Sequence, residues 1–204
     1  MKIICIGMNY ARHIEEFAGE TPLNPVFFLK PETALLRNNQ PFYYPDFTKD
    51  LHYETELVLR ICRVGRSIPE QFAARYISGI GLGIDFTARD IQTECRKRGL
   101  PWEIAKGFDY SAPVSPDFIP VGDFENIGNI NFRLELNGQT VQKGNSSDLI
   151  FSFNRIISYV SQFITLKIGD LIFTGTPDGT GSVKTGYNLK GYIENKPMLD
   201  FDIK

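Results

Sequence analysis

Two glutamates stand at the head of an apolar run, Glu54-Thr55-Glu56-Leu57-Val58-Leu59, and this juxtaposition limits what the chain can fold into more than any other feature. Side chains of a strand alternate between its two faces, so residues two apart point the same way and the carboxylates of Glu54 and Glu56 converge. On a solvent-facing edge such a pair needs no explanation. In a buried strand, which Leu57-Val58-Leu59 suggests, adjacent like charges repel unless a cation neutralises them. A second apolar run, Gly79-Ile80-Gly81-Leu82-Gly83-Ile84, ends in another carboxylate, Asp85. Asp85 could simply cap a helix that follows it. Thr87, with Asp90 three residues on, fits that role in a capping-box-like arrangement and leaves Asp85 for another. Three carboxylates would suit a hard cation such as Mg²⁺, which takes oxygen ligands and keeps positions for water and substrate.

Further strand-like runs fall at residues 2–6, 26–29, 54–61, 78–86, 131–137 and 171–174, with two more near the C-terminus. Helices are expected near 69–76, from Thr87 onward, and over 148–163. In the last, Leu149, Phe153, Ile156, Ile157, Val160 and Ile164 recur on one helical face, and Ser147 or Asp148 would be the N-cap. Asn137-Gly138 between two strand-like runs predicts a tight hairpin turn. No repeat, low-complexity tract or linker interrupts the pattern, so a single β-rich α+β domain over 1–204 is expected.

Composition narrows the function. The 204 residues, 42% of them hydrophobic, suffice for one sizeable core. With 22 basic against 24 acidic residues and a net charge of -2, no global field favours nucleic acid or an anionic membrane. No apolar stretch approaches the roughly 20 residues of a membrane helix, and the apolar start at 3–6 is too short for a signal sequence. Cys5, Cys62 and Cys95 form no C-x-x-C pair and read as reduced thiols, so a cytoplasmic location is expected. His13 and His52 are the only histidines, too few for a zinc site built from imidazole and thiolate.

Other groups carry possible chemistry. His13 and Glu16, three apart, would share a helical face, where the carboxylate orients the imidazole and raises its basicity; a surface pair of no consequence is the alternative. Lys106 adjoins Gly107 between apolar stretches and reads, alone, as a solvated lysine. The segment Thr174-Gly175-Thr176-Pro177-Asp178-Gly179-Thr180-Gly181 follows an apolar strand and offers N–H groups and hydroxyls suited to a carboxylate. It lacks the Gly-Lys-Ser/Thr of a P-loop, and the glycines at 79 and 81 do not complete a dinucleotide fingerprint. Arg96-Lys97-Arg98, flanked by Glu94 and Glu103, reads as a solvated helix end.

Taken together, these residues resemble the fumarylacetoacetate hydrolase family, in its short acylpyruvase and oxaloacetate decarboxylase branch. The resemblance runs through Gly7-x-Asn9-Tyr10-x-x-His13-x-x-Glu16, Phe28-x-Lys30-Pro31, Glu54-x-Glu56 and Asp85-x-Thr87-Ala88-Arg89-Asp90-x-Gln92. It continues in Lys97-x-Gly99-Leu100-Pro101-Trp102, Ala105-Lys106 and Thr174-Gly175-Thr176-Pro177. It implies a β-roll or sandwich fold with a few short helices, usually a homodimer. It also implies Mg²⁺ or Mn²⁺ on Glu54, Glu56 and Asp85, catalysis by His13, Glu16 and Lys106, and substrate contacts from Arg89, Gln92 and Thr176. Two departures, Gly179-Thr180-Gly181 where many relatives have valine between the glycines and Tyr110-Ser111-Ala112-Pro113 in place of a Cys-Pro ending, bear on substrate preference and touch no expected ligand.

The resemblance implies a small 2-oxo acid substrate. Hydrolysis of an acylpyruvate to pyruvate and a carboxylic acid is the main expectation, with His13 and Glu16 activating water. Oxaloacetate decarboxylation or tautomerisation, or another hydratase or isomerase reaction of a 2-oxo acid, is the alternative. A catalytically silent relative that only binds a small acid or serves in assembly is the reading from a different class.

Overall fold

A computed structural model describes residues 1–12 and 21–204; His13 and Glu16 lie outside the described residues. The largest sheet has six strands in the order β2 (Val26–Lys30), β1 (Ile3–Gly7), β12 (Leu171–Phe173), β5 (Thr55–Ile61), β6 (Ile77–Ile84) and β9 (Ile119–Pro120). All its pairings are antiparallel except β1 with β12.

Its inner strands β1, β12, β5 and β6 are buried on both faces, which is why they read as continuous apolar runs. Ile4, Ile6, Leu57, Leu59, Ile80, Leu82 and Ile172 face the larger core. Residues of opposite parity, Ile3, Cys5, Val58, Leu171 and Phe173, face a smaller cluster with Ala112 and Val114. Over the larger core lies a four-stranded antiparallel sheet of β11 (Gln139–Asn145), β10 (Asn131–Leu136), β14 (Asn188–Ile193) and β15 (Lys196–Asp202). Two small sheets complete the strands of the described residues: β13 (Gly181–Ser182), β4 (Leu51–Tyr53) and β7 (Thr87–Ala88) in one, β3 (Leu35–Leu36) and β8 (Ala112–Pro113) in the other. The expected β-rich α+β architecture is present. Burying one Leu or Ile side chain contributes about 2 kcal/mol, so the completely buried Leu57, Leu59, Ile80 and Leu82 make the β5–β6 ladder a rigid base.

The Asn137-Gly138 turn forms as expected, with φ of 50° and 79°, the left-handed pair that matches hairpin twist, and it joins β10 to β11 at Leu136↔Gln139. The helices differ from expectation. The 69–76 segment is a 3-10 helix, Glu70–Tyr76. The helix expected from Thr87 is α1 (Arg89–Arg98), because Thr87 pairs with His52 in β7 and donates its hydroxyl to Asp85 O at 3.2 Å rather than capping. Asp90 makes no capping box; it accepts from Lys49 N, Thr48 Oγ1 and Ile91 N. A single short turn, α2 (Glu103–Lys106), follows. The helix expected over 148–163 is α3 (Phe153–Phe163), capped by Ser152 Oγ, which accepts from Arg155 N at 3.2 Å. Neither Ser147 nor Asp148 caps it. Leu149 bridges to Tyr10 and Ile150 N donates to Asn9 O, so the backbone before 152 is engaged with the N-terminal segment.

Candidate functional site

Register delivers the three carboxylates to one place. Thr55 pairs with Ile84 and Glu56 with Gly83, and Asp85 N donates to Glu54 O at 2.8 Å, so Asp85 emerges beside the two glutamates. Gly83 is required there: a Cβ would lie 2.5 Å from Phe173 and 2.8 Å from Val58. Glu54, Glu56 and Asp85 are buried, and one carboxylate oxygen from each falls within 4.8 Å of the others. The solvent-edge reading of Glu54 and Glu56 is thereby excluded, as is a capping role for Asp85.

Burial first, then Asp85 and Glu54, hold the Glu56 carboxyl well above the usual glutamate range, although Gly175 N donates to its Oε2 at 2.6 Å. Asp85 Oδ1 is buried without a hydrogen-bond donor. It lies 2.7 Å from Lys30 Nζ, but that ammonium has only three protons and is also surrounded by Phe86 O, Lys106 O, Ser111 O and Ser111 Oγ. Oδ1 is thus ion-paired with Lys30 but keeps lone-pair capacity for a further cation. An undonated oxygen beside a strongly repelled glutamate, in an all-oxygen set, fits a hard divalent ion. The cluster could hold one.

Lys106 is not a solvated lysine. It is buried, and its Nζ donates to Glu54 Oε2 at 2.7 Å and Asp85 Oδ2 at 2.8 Å. Burial pulls its pKa down, yet the two carboxylates outweigh that and raise it, so it stays an ammonium. Arg89 opens α1 with its Nη2 on Glu54 Oε1 at 2.5 Å and its Nη1 on Gln92 Oε1 at 2.6 Å. Thr176 lines the same cavity, on the loop after β12; that loop is tied to β5 where Thr174 Oγ1 donates to Leu57 O at 2.9 Å. The structure thus brings Glu54, Glu56, Asp85, Arg89, Gln92, Lys106 and Thr176 around one cavity, with Met8, Phe28, Arg96 and Trp102 among its other walls.

Four residues were given no site role by the sequence reading, although Asn9 and Lys30 stand within the family motifs. Lys30 is fully buried beneath Asp85. Gln142 accepts from Thr55 N at 3.0 Å and donates to Thr176 Oγ1 at 2.9 Å. Asn9 donates to Thr174 O at 2.8 Å and fixes the backbone against Gly175, whose φ is +105°. Arg96, grouped by adjacency with the solvated Lys97 and Arg98, lines the cavity instead and lies 5.2 Å from the Trp102 ring centroid. Its seven-residue spacing from Arg89, two helical turns, was the available signal; Lys30 in an apolar strand was another.

Fold and site together define a β-rich domain with a buried acidic centre, countered by lysine and arginine. The fumarylacetoacetate (FAA) hydrolase C-terminal domain matches residues 2–199. The mitochondrial oxaloacetate tautomerase of Homo sapiens is 42% identical over 202 residues, covering 99% of this chain and 91% of that protein. The mitochondrial oxaloacetate decarboxylase of Dictyostelium discoideum is 41% identical over 204 residues, covering 99% and 93%. Among solved structures, the fumarylpyruvate hydrolase of Pseudomonas aeruginosa in complex with Mn²⁺ and pyruvate superposes with a TM-score of 0.94 at 36% identity, covering 100% of this chain and 89% of that one. The chain belongs to the fumarylacetoacetate hydrolase family. It is a metal-dependent enzyme of that family, which removes the catalytically silent reading. No helix among the described residues is long and apolar enough to cross a membrane.

Proposed function

We propose that this enzyme acts on oxaloacetate, interconverting its keto and enol forms and decarboxylating it, with Mg²⁺ or Mn²⁺ on Glu54, Glu56 and Asp85. The supporting observation is Lys106 Nζ, held by Glu54 and Asp85 in the cavity that Arg89, Gln92 and Thr176 also line. Relatives named for oxaloacetate chemistry at 41–42% identity favour this over acylpyruvate hydrolysis as the main activity. A divalent cation there would supply Lewis-acid withdrawal of charge from a 2-oxo carboxylate.

The chain's own groups do the rest. Lys106 spends two protons on carboxylates and keeps a third for a substrate oxygen, so it stabilises negative charge developing on the 2-oxo oxygen. Arg89 Nη1 fills Gln92 Oε1, turning the Gln92 amide N–H groups toward an acceptor. Gln142 donates to Thr176 Oγ1, which commits the threonine's own proton to donation. Both suit a carboxylate. His13, oriented by Glu16, takes a proton from C3 and delivers it to the 2-oxo oxygen to give the enol, and the reverse transfer restores the keto form. In decarboxylation the C3–C4 bond breaks, its electrons move to the 2-oxo oxygen as CO₂ leaves, and C3 is then protonated to give pyruvate.

Acylpyruvate hydrolysis is the second reading, favoured by the likeness to the Pseudomonas aeruginosa fumarylpyruvate hydrolase. There His13 would activate water for attack on the distal carbonyl. We further propose one catalytic domain over 1–204, a homodimer and a cytoplasmic location. Assays of enol-oxaloacetate decay, oxaloacetate decarboxylation and acetylpyruvate hydrolysis, each with Mg²⁺, Mn²⁺ or EDTA, test the function. The highest kcat/KM is expected for oxaloacetate, abolished by EDTA; a clear preference for acetylpyruvate would reverse the order of the two readings.

A further inference from the structure

Lys30 closes β2 with its side chain completely buried. It pairs with Ile3 of β1, and cross-strand partners share a face. That face is the one where Ile3 packs with Ala112. Four acceptors gather round its ammonium: the carbonyls of Phe86 at 3.2 Å, Ser111 at 3.0 Å and Lys106, and Ser111 Oγ at 2.9 Å. They already outnumber its three protons. Asp85 Oδ1 lies only 2.7 Å away, yet no proton is directed at it. The other oxygen differs, since Oδ2 accepts a hydrogen bond from Lys106 Nζ at 2.8 Å. Lys30 therefore gives Asp85 its charge and spends its protons on the backbone and on Ser111.

An ammonium so placed acts on a metal ion that it does not touch. Oδ1 is the Asp85 oxygen without a donor, so a divalent ion on Glu54, Glu56 and Asp85 would share that oxygen with a fixed positive charge. The two cations repel, and burial leaves little water to screen them. A divalent ion feels the repulsion twice as strongly as a proton does. A carboxylate drawn toward a buried ammonium also lends less of its charge to a metal, which keeps more Lewis acidity for a substrate oxygen. The backbone carbonyls alone do not call for a lysine, because a neutral donor would satisfy them without the cost of burying a charge.

We propose that Lys30 is a positioning residue acting through Asp85: its fixed charge balances that carboxylate when no ion is bound and holds down the affinity for the divalent ion, so that the ion stays exchangeable. Ser111 Oγ accepts from Lys30 and donates to Lys106 O at 2.8 Å, which keeps the protons of the ammonium away from Oδ1. The proposal rests on the metal reading of the acidic centre and names the residue that sets its affinity.

Isothermal titration of the full chain with Mn²⁺, at one fixed pH, tests it on Lys30→Met and Ser111→Ala. Lys30→Met should bind Mn²⁺ about tenfold more tightly or better, and saturating Mn²⁺ should raise its unfolding midpoint by more than it raises that of the wild type. Ser111→Ala releases a proton of Lys30 toward Oδ1, so Mn²⁺ binding should weaken about threefold or more. A lysine that merely braces the fold predicts the reverse for Lys30→Met, since a distorted site binds metal more weakly. Lys30→Met binding no tighter than wild type would overturn the proposal, as would Ser111→Ala binding no weaker. If Lys30→Met does not fold, Ser111→Ala decides alone. A wild-type chain that binds no Mn²⁺ would overturn the metal reading and this inference with it, so the two failures are distinguishable.

Discussion

Gln142 donates from Nε2 to the hydroxyl oxygen of Thr176 at 2.9 Å while its Oε1 accepts from Thr55 N at 3.0 Å. One buried amide thereby joins the strand bearing Glu56 to the loop bearing Thr176. Gln142→Leu would leave a buried N–H and a hydroxyl without partners, each costing about 1–3 kcal/mol. The variant should melt several degrees lower, and its KM for a 2-oxo acid should rise more than its kcat falls. Thermal unfolding with an unchanged midpoint would refute the coupling.

Lys30 answers Asp85 from beneath, its side chain completely buried. Lys30→Met keeps the length of the side chain and removes the charge, leaving Asp85 and three backbone carbonyls without that ammonium. Losing one partner of a buried ion pair costs about 3–5 kcal/mol. A urea titration should show the midpoint drop accordingly, and a loss below about 1 kcal/mol would show that water replaces the ammonium there.

Gly175 presents its N–H to Glu56 from a left-handed backbone, φ +105°, and a Cβ there would lie 2.8 Å from Asn9 Cβ. Gly175→Ala should shift that donor, and divalent-metal affinity should fall about tenfold or more, as for other groups that orient metal ligands. Isothermal titration with Mn²⁺ measures this; wild-type affinity in a folded variant would count against the role.

The Glu56 carboxyl is raised by burial and by the carboxylates of Asp85 and Glu54. Its folded form therefore holds a proton that the unfolded chain has released, in a window opening at the ordinary value of 4.5 and extending up to the raised one. Across that window the native state binds more protons, so metal-free stability should fall as pH rises. A divalent cation must displace the proton, so its affinity should climb with pH and binding should release protons. Calorimetry in buffers of different ionisation enthalpy reads this directly. Metal binding without proton release would contradict it.

His13 and Glu16 separate the two readings of function. His13→Ala should abolish acylpyruvate hydrolysis, which needs an activated water, while leaving Mn²⁺ affinity intact. Decarboxylation of oxaloacetate, which needs no water attack, should retain more activity. Retained hydrolysis would remove His13 from the mechanism.

The acidic cluster was legible because strand periodicity is local: two residues apart means one face, and Glu54-x-Glu56 needs no knowledge of the rest of the fold. Asp85 was legible only in part, since its arrival beside them depends on the Thr55↔Ile84 register. The family motifs singled out Lys106, Arg89, Gln92 and Thr176, and all four line the cavity beside that cluster. What bound them together stayed hidden, because Gln142 meets Thr55 87 residues away and Lys30 meets Ser111 81 away, distances that no periodicity encodes. Local signals also misled where tertiary pairing overrode them. Thr87 has the chemistry of a cap but is held in β7 by His52, and Leu149 fits a helical stripe but bridges to Tyr10.

The parallel pairing of β1 with β12 sets the order in which this molecule can be made. Asn9 meets Thr174 165 residues later, and Gly175 reaches back 119 residues to Glu56. A chain emerging from the ribosome must therefore hold its first strand without a neighbour on one side until residue 173 has left the exit tunnel. Closing so long a loop is slow and leaves apolar edges open to other chains. Cation capture by Glu56 in its finished setting would then come late, as a signal that synthesis and docking are complete.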